Sequence, residues 1–291
     1  MLKINNVSKS FKDKKVLDDL SLNINDSSIF GLVGVNGAGK STLLRCVAGI
    51  YKVDKGNIEL NDIDTYENEE IRKDIFFVSD DPYYPMSANL YTLKDFYSSY
   101  YQIDESIYQK VLNSFNLQEN KAISSFSKGM KRQAMLLFAL SIKPKLLLLD
   151  EAFDGLDPLV RLNLKRSLYE YMQDNNSTVI ISSHNLKELE DVCDSYGILQ
   201  DGKINTYGDL LESKSNINKY QLAFKKDIDE KVFDDFDILH KHKEGSIYTL
   251  VIKGNKEEVI DKLKKLKPVI LDSLTVNFEE LFIYEYEGGN K

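Results

Sequence analysis

Apolar and polar residues alternate along Leu2-Lys3-Ile4 and along Leu20-Ser21-Leu22-Asn23-Ile24, the period of strands with one buried face. Ser28-Ile29-Phe30-Gly31-Leu32-Val33 is more continuously apolar, as a strand covered on both faces is. It runs into a glycine-rich segment, Gly34 to Gly39. Beyond that, Lys40 to Ile50 sets Leu43, Leu44 and Val47 at helical spacing. Further helices are predicted over Tyr91 to Asn116, Lys128 to Ile142 (ending before Pro144), Leu159 to Met172 and Asn185 to Cys193. Leu146 to Leu149 and Thr178 to Ser182 are the strands between them.

Strands alternating with helices imply an α/β fold, a mainly parallel sheet with helices on both faces. Between Gly208 and Asn218 the chain turns polar, and a domain boundary is placed after residue 212. Beyond it, strands are predicted over Tyr220 to Phe224, Ile247 to Ile252 and Val269 to Leu274, with an amphipathic helix over Lys256 to Leu266. Residues 213–291 therefore read as a small α+β appendage, in which no catalytic spacing occurs.

Composition narrows the function classes. Among 291 residues, 42% are hydrophobic and 29% charged, enough apolar material for a full core. The net charge of −8 argues against a nucleic-acid partner, which needs a basic face. Cys46 and Cys193 stand far apart, so they read as small buried hydrophobes, not as a disulfide or zinc framework. No apolar core follows the charge at the N-terminus, so no signal peptide is expected. The longest apolar-rich stretch, Met135 to Ile142, falls short of the ~20 residues of a membrane helix. Work at a membrane would then require docking on a partner that spans it.

Two motifs carry chemistry. Gly34-Val35-Asn36-Gly37-Ala38-Gly39-Lys40-Ser41 matches the phosphate-binding loop G-x-x-x-x-G-K-[ST], between a predicted strand and a predicted helix. Small residues let backbone N–H groups from Gly37 to Ser41 face a polyphosphate, and the helix presents its positive end. Lys40 adds a charge for the β- and γ-phosphates, Ser41 a hydroxyl for Mg²⁺. Asn36, Ala38 and Thr42 belong to the same binding segment. Leu146-Leu147-Leu148-Leu149-Asp150-Glu151 ends a buried strand in two carboxylates, at the sheet edge where such folds bind ligands. Asp150 is expected on Mg²⁺, and Glu151 as the group that polarises the attacking water.

Ser127-Lys128-Gly129-Met130-Lys131, Gly155-Leu156-Asp157-Pro158 and His184 follow in an order that resembles the ABC ATPases, over residues 1 to about 212. Taken singly, Ser127 reads as a helix cap, 155–158 as a turn and His184 as a surface histidine. The resemblance implies a P-loop NTPase core with an antiparallel β subdomain and a helical subdomain at about 81–143. It implies ATP and Mg²⁺ as cofactors and a dimer, of like or unlike chains, that sandwiches two ATP molecules. In that dimer Ser127 and Gly129 reach the γ-phosphate bound to the opposite chain, and Asp157 links the two sites. Catalysis falls to Glu151, His184 and Lys40. Phe11 holds the place of an aromatic stacked on adenine, or else packs in a hairpin core; Val16 adds an apolar contact to the base.

The sequence departs from the family pattern in two places. Asp80, in Phe77-Val78-Ser79-Asp80-Asp81-Pro82, stands where the family has a glutamine, although Asp81 can also be aligned there. As a carboxylate, Asp80 is an additional candidate metal ligand. Lys128 and Met130 replace the commoner residues of the signature. This SKGM form is similar to that of bacterial exporters of antibiotics and peptides. Together with the tail and the Lys/Asn/Ile-rich composition, it is similar to the ATPases of staphylococcal phenol-soluble modulin exporters.

An aromatic stretch, Pro82-Tyr83-Tyr84-Pro85-Met86 with Tyr91, Phe96, Tyr97, Tyr100 and Tyr101, lies where the family receives the coupling helix of a membrane permease. A docking groove near residues 80–101 is expected there, with core packing as the alternative for part of the set. Asp272 to Phe282 resembles the closing stretch of exporter ATPases. The expectation is the energy-coupling subunit of an exporter at the cytoplasmic face of a bacterial membrane. The alternative is a non-transport ABC ATPase acting on ribosomes or DNA, disfavoured by the single glycine loop and the lack of a heptad insertion.

Overall fold

The computed structural model describes residues 1–174, 176–225, 228–280 and 283–284. The chain divides into two compact units, Met1–Tyr207 and Gly208–Lys291.

The first unit begins with the hairpin β1 (Leu2–Phe11) and β2 (Lys14–Ile24), then β3 (Ile29–Val33), α1 (Lys40–Val47), β4 (Lys55–Leu60) and β5 (Ile63–Asp64). There follow α2 (Glu69–Arg72), β6 (Ile75–Val78), α3 (Leu90–Ser98), α4 (Glu105–Ser114) and α5 (Lys128–Ile142). The unit continues through β7 (Leu146–Asp150), α6 (Pro158–Asp174), β8 (Thr178–Ser183), α7 (Leu186–Glu190) and β9 (Ser195–Gln200), and the division falls within the last strand, β10 (Lys203–Asp209).

Two sheets form from these strands. One has the order β2-β1-β4-β5 and its pairs are antiparallel. The other has the order β10-β9-β3-β8-β7-β6, with parallel pairing from β9 through β6. Residues of both sheets and of α1 share one core cluster, including Leu2, Leu22, Leu44, Ile58 and Leu148. All five residues of β3 and of β7 are buried, which explains their continuous apolar runs. β3 and β7 are each bonded to β8, so the glycine loop after β3 and the carboxylates after β7 reach the same sheet edge.

Local chemistry sets the helix ends. The helix predicted over Tyr91 to Asn116 is in fact two, because Asp104 starts α4 afresh by accepting the Ile107 N–H at 3.1 Å. Ser127 begins α5 in the same way, through the Met130 N–H at 3.2 Å. Lys143, at φ 53°, ends α5 in the left-handed region before Pro144. Most of α5 is buried, from Arg132 to Ile142.

The second unit contains α8 (Leu210–Asn216), β11 (Ile217–Ala223), β12 (Asp237–Glu244), β13 (Ile247–Lys253), α9 (Lys256–Lys265) and β14 (Ile270–Leu274). Its antiparallel sheet has the order β12-β13-β11-β14 and encloses Tyr220, Leu222, Tyr248 and Leu250 together with Val259 and Leu263 of α9. The division between the units precedes the position read from composition, because residue 212 lies inside α8. Of the closing stretch from Asp272 to Phe282, Leu281 and Phe282 lie outside the described residues.

Candidate functional site

The loop between β3 and α1 wraps the start of the helix. Gly39, at φ 112°, occupies the N-cap of α1, a conformation that side chains rarely adopt. Lys40 is folded back, so its Nζ donates to the Gly34 carbonyl at 2.6 Å. Around this loop lies a cleft of about 530 Å³, lined by Lys14, Val16, Asn36, Gly37, Gly39, Lys40, Ser41, Thr42, Asp80, Glu151, Asp154 and His184. Ala38 packs instead against the core beneath the loop.

The carboxylates after β7 meet this loop. Ser41 Oγ donates to Asp150 Oδ1 at 3.1 Å and Ser182 Oγ to the same oxygen at 2.7 Å. Asp150 Oδ2 is buried with no hydrogen-bond partner among the described residues. A buried carboxylate oxygen left unpaired beside a hydroxyl fits a small hard cation, and Mg²⁺ needs few protein oxygens when phosphates and water complete its shell.

Glu151 stands at φ 51°, an uncommon conformation for a residue with a side chain. Its N–H donates to the Ser182 carbonyl and lies equally close, at 3.1 Å, to Ser182 Oγ. Its carboxylate spans the cleft: Oε1 lies 3.3 Å from Lys40 Nζ, and Oε2 lies 2.9 Å from His184 Nδ1.

Asp80 lines the cleft, but its Oδ1 is ion-paired with Arg132 Nη2, and that nitrogen also donates to the Asp80 carbonyl at 3.1 Å. The structure pairs this carboxylate with Arg132, not with Ser41 and Asp150. Arg132 and Ser182 escape a motif-based reading. A lone arginine on a helix and a serine ending a strand carry no local signal, and each gains its role from segments distant in sequence.

The remaining residues lie elsewhere. Ser127, Gly129 and Asp157 are not among those lining the cleft of their own chain. Ser127 caps α5, and Asp157 caps α6 by accepting the Leu159 and Val160 N–H groups at 3.1 and 3.0 Å. A side chain at Gly129 would come within 2.9 Å of the Gly155 carbonyl, so only glycine fits this approach. Lys128 pairs with Asp154 at 3.0 Å and holds that carboxyl below its ordinary value. Val16 lines the cleft; Phe11, at its hairpin end, packs edge-on against Tyr51 at 5.4 Å. Both cysteines are buried, which raises their thiol pKa values, that of Cys46 to about 11.

Residues 17–154 match the family model "ABC transporter". The chain is 30% identical over its whole length to the whole of the ABC transporter ATP-binding protein YtrB of Bacillus subtilis (strain 168). This chain belongs to the ABC transporter ATP-binding proteins. As a member of this family it binds and hydrolyses ATP and serves as the ATP-binding subunit of a membrane transport system. It is also 29% identical to the methionine import ATP-binding protein MetN of Clostridium tetani (strain Massachusetts / E88), covering 96% of this chain and 94% of that one. The lantibiotic transport ATP-binding protein SrtF of Streptococcus pyogenes is 32% identical over 70% of this chain and 89% of its own. Among solved structures, one described as the ATP binding subunit of an ABC transporter superposes with a TM-score of 0.68 at 27% identity, covering 74% of this chain and 92% of that chain. No helix among the described residues is long and apolar enough to cross a membrane.

Proposed function

We propose that this chain powers an exporter of peptides or of antimicrobial compounds, as the nucleotide-hydrolysing subunit at the cytoplasmic face of a bacterial membrane. The observation that carries the hydrolytic half is the Glu151 carboxylate, which touches both Lys40 and His184 at the end of β7. Export rests on the SKGM signature and on the likeness to the lantibiotic transport protein SrtF. Phenol-soluble modulins fit that cargo class.

When ATP enters, Lys40 exchanges Glu151 for the β- and γ-phosphates, and the loop N–H groups from Gly37 to Ser41 take the remaining oxygens. Glu151 is then released to orient a water molecule toward the γ-phosphorus, with His184 holding the carboxylate and the phosphate in line. Ser41 and Asp150 would hold Mg²⁺, which neutralises charge on the phosphate oxygens. Phe11 and Val16 would receive the adenine. Ser127 and Gly129, outside the cleft of their own chain, would face the nucleotide of a second ATPase chain, identical or sibling, and Asp157 would link the two sites. ATP would join the two chains and hydrolysis release them.

The permease would dock on a groove of about 550 Å³ lined by Ala48, Gly49, Ile50, Arg72, Ile75, Phe76, Phe77, Tyr97 and Tyr101. Tyr83, Met86 and Tyr91 are exposed nearby in sequence and add apolar surface within residues 80–101. Amphipathic helices recognise surfaces of this kind. Cells co-expressing this chain with its permease should expel amphipathic peptide, and Glu151→Gln should stop it. ATP-driven uptake, or no membrane association at all, would overturn the reading.

A further inference from the structure

Arg132 lies on α5 shortly after the Ser127–Gly129 segment, and it is only 3% exposed. A buried cation persists where it is paired and fully bonded. Here Nη1 donates to the Glu151 carbonyl at 2.6 Å and to the Asp154 carbonyl. Nη2 donates to the Asp80 carbonyl at 3.1 Å and is ion-paired with the Asp80 carboxylate. One planar group therefore joins the loop after β6, the end of β7 and the turn that follows it.

The bond to Glu151 has a particular consequence. Its carbonyl is held by Arg132, while its N–H is held by Ser182. Both sides of a residue at φ 51° are thus fixed, as such a conformation requires if it is to persist. The carboxylate that bridges Lys40 and His184 is aimed by that backbone.

We infer that Arg132 is a positioning residue for ATP hydrolysis: it fixes the Glu151 backbone and ties it to the Asp80 loop and the signature helix, with Asp80 as its counter-charge. This rests on the reading of Glu151 as the water-polarising group. It also gives Asp80 a role at this position different from that of a metal ligand. A shift of the Asp80 loop reaches Glu151 through one rigid side chain, without any change at the phosphate loop.

The test uses the purified full chain and four variants: Arg132→Lys, Asp80→Asn, the double Asp80→Asn/Arg132→Lys, and Glu151→Gln. Steady-state ATPase rates, affinity for a fluorescent ATP analogue and thermal unfolding are measured on each. Lysine keeps the charge but loses the two-pronged geometry. The inference predicts a fall in kcat of about ten- to a hundredfold in Arg132→Lys, the scale of a small misplacement of a catalytic group, with nucleotide affinity unchanged. Asp80 is 48% exposed on its side chain, so Asp80→Asn leaves the core intact and should also lower kcat. The loss in the double variant should be smaller than the product of the single losses, because the partners share one interaction. Wild-type kcat in Arg132→Lys and Asp80→Asn, with Glu151→Gln inactive, would overturn the positioning role alone. Parallel losses of affinity, melting temperature and kcat would overturn it too, as a mere folding effect. Full turnover in Glu151→Gln would instead overturn the reading of Glu151 on which the inference rests.

Discussion

Glu151 Oε1 lies 3.3 Å from Lys40 Nζ, so the group assigned to polarise water and the group assigned to bind phosphate hold each other across the cleft. Both are largely buried, which makes the contact stronger than one at the surface. On the proposed roles, nucleotide binding would exchange this ion pair for a phosphate contact.

Lys40→Ala removes the group assigned to the phosphates and leaves Glu151 with His184 as its side-chain partner in the cleft. ATP affinity should fall by about ten- to a hundredfold, the equivalent of one charge-assisted hydrogen bond. Glu151→Gln should keep ATP binding while turnover drops by about 10²–10⁴. Titration of a fluorescent ATP analogue alongside a phosphate-release assay separates the two effects. Equal losses of binding in both variants would contradict the division of roles.

Phe11 sits at the end of β1, in edge contact with Tyr51 and with Lys9 Nζ 5.5 Å from its ring centre. If adenine stacks on it, Phe11→Ala should weaken ATP by about 1–3 kcal/mol, the range for base–aromatic stacking. Tripolyphosphate, which carries no base, should bind the variant as it binds the wild type. A matching loss for tripolyphosphate would show that Phe11 supports the hairpin and not the base.

Asp104 begins α4 and pairs with Lys143 at the end of α5, at 2.9 Å. The hydrogen bond from Lys143 is the main reason that its carboxyl lies below its ordinary value of 3.8. Its folded pKa is thus lower than its unfolded one. The stabilisation is fully present above about pH 4 and is lost as pH falls through the lowered value. Asp104→Ala should cost about 1 kcal/mol at pH 7, chiefly through the lost cap, since a pair this exposed is screened by solvent. Chemical denaturation at pH 7 and at pH 2.5 should show the wild-type advantage shrinking in acid. An advantage that is constant with pH would contradict this assignment.

What could be read from the sequence follows from what is contiguous. Gly34 to Ser41 and Leu146 to Glu151 each carry their chemistry in one segment, flanked by the strand and helix that such a site needs. Arg132 could not be read this way, because its four acceptor contacts come from Asp80, Glu151 and Asp154. Nor could the pairing that occupies Asp80. In β1 the alternation was legible only from Leu2 to Ile4, since the register shifts beyond Ile4 and Asn6 takes φ 48°. β12 was missed as well: Asp237–Glu244 is mostly exposed, so few of its side chains display a buried face. The groove proposed for docking draws only in part on the aromatic stretch. Tyr97 and Tyr101 lie within the aromatic stretch, whereas Ile50, Arg72 and Phe77 come from other segments.

Ile50 is 54% exposed at the groove, so Ile50→Asp should leave the fold and basal ATP turnover unchanged. A charge there opposes the burial of an apolar helix face. Permease-stimulated turnover should fall, and the stimulation measured in proteoliposomes reads this directly. Undiminished stimulation would move the docking site elsewhere.

Recovery of the partner tests whether this ATPase drives a membrane permease. The tagged chain carrying Glu151→Gln would be captured from detergent-solubilised host membranes with ATP and Mg²⁺ present, beside the same variant carrying Ile50→Asp. A multi-span membrane protein should be recovered in stoichiometric amount, and it should be lost when Ile50→Asp is added. Ribosomes, nucleic acid or no partner at all would contradict a role in driving a permease.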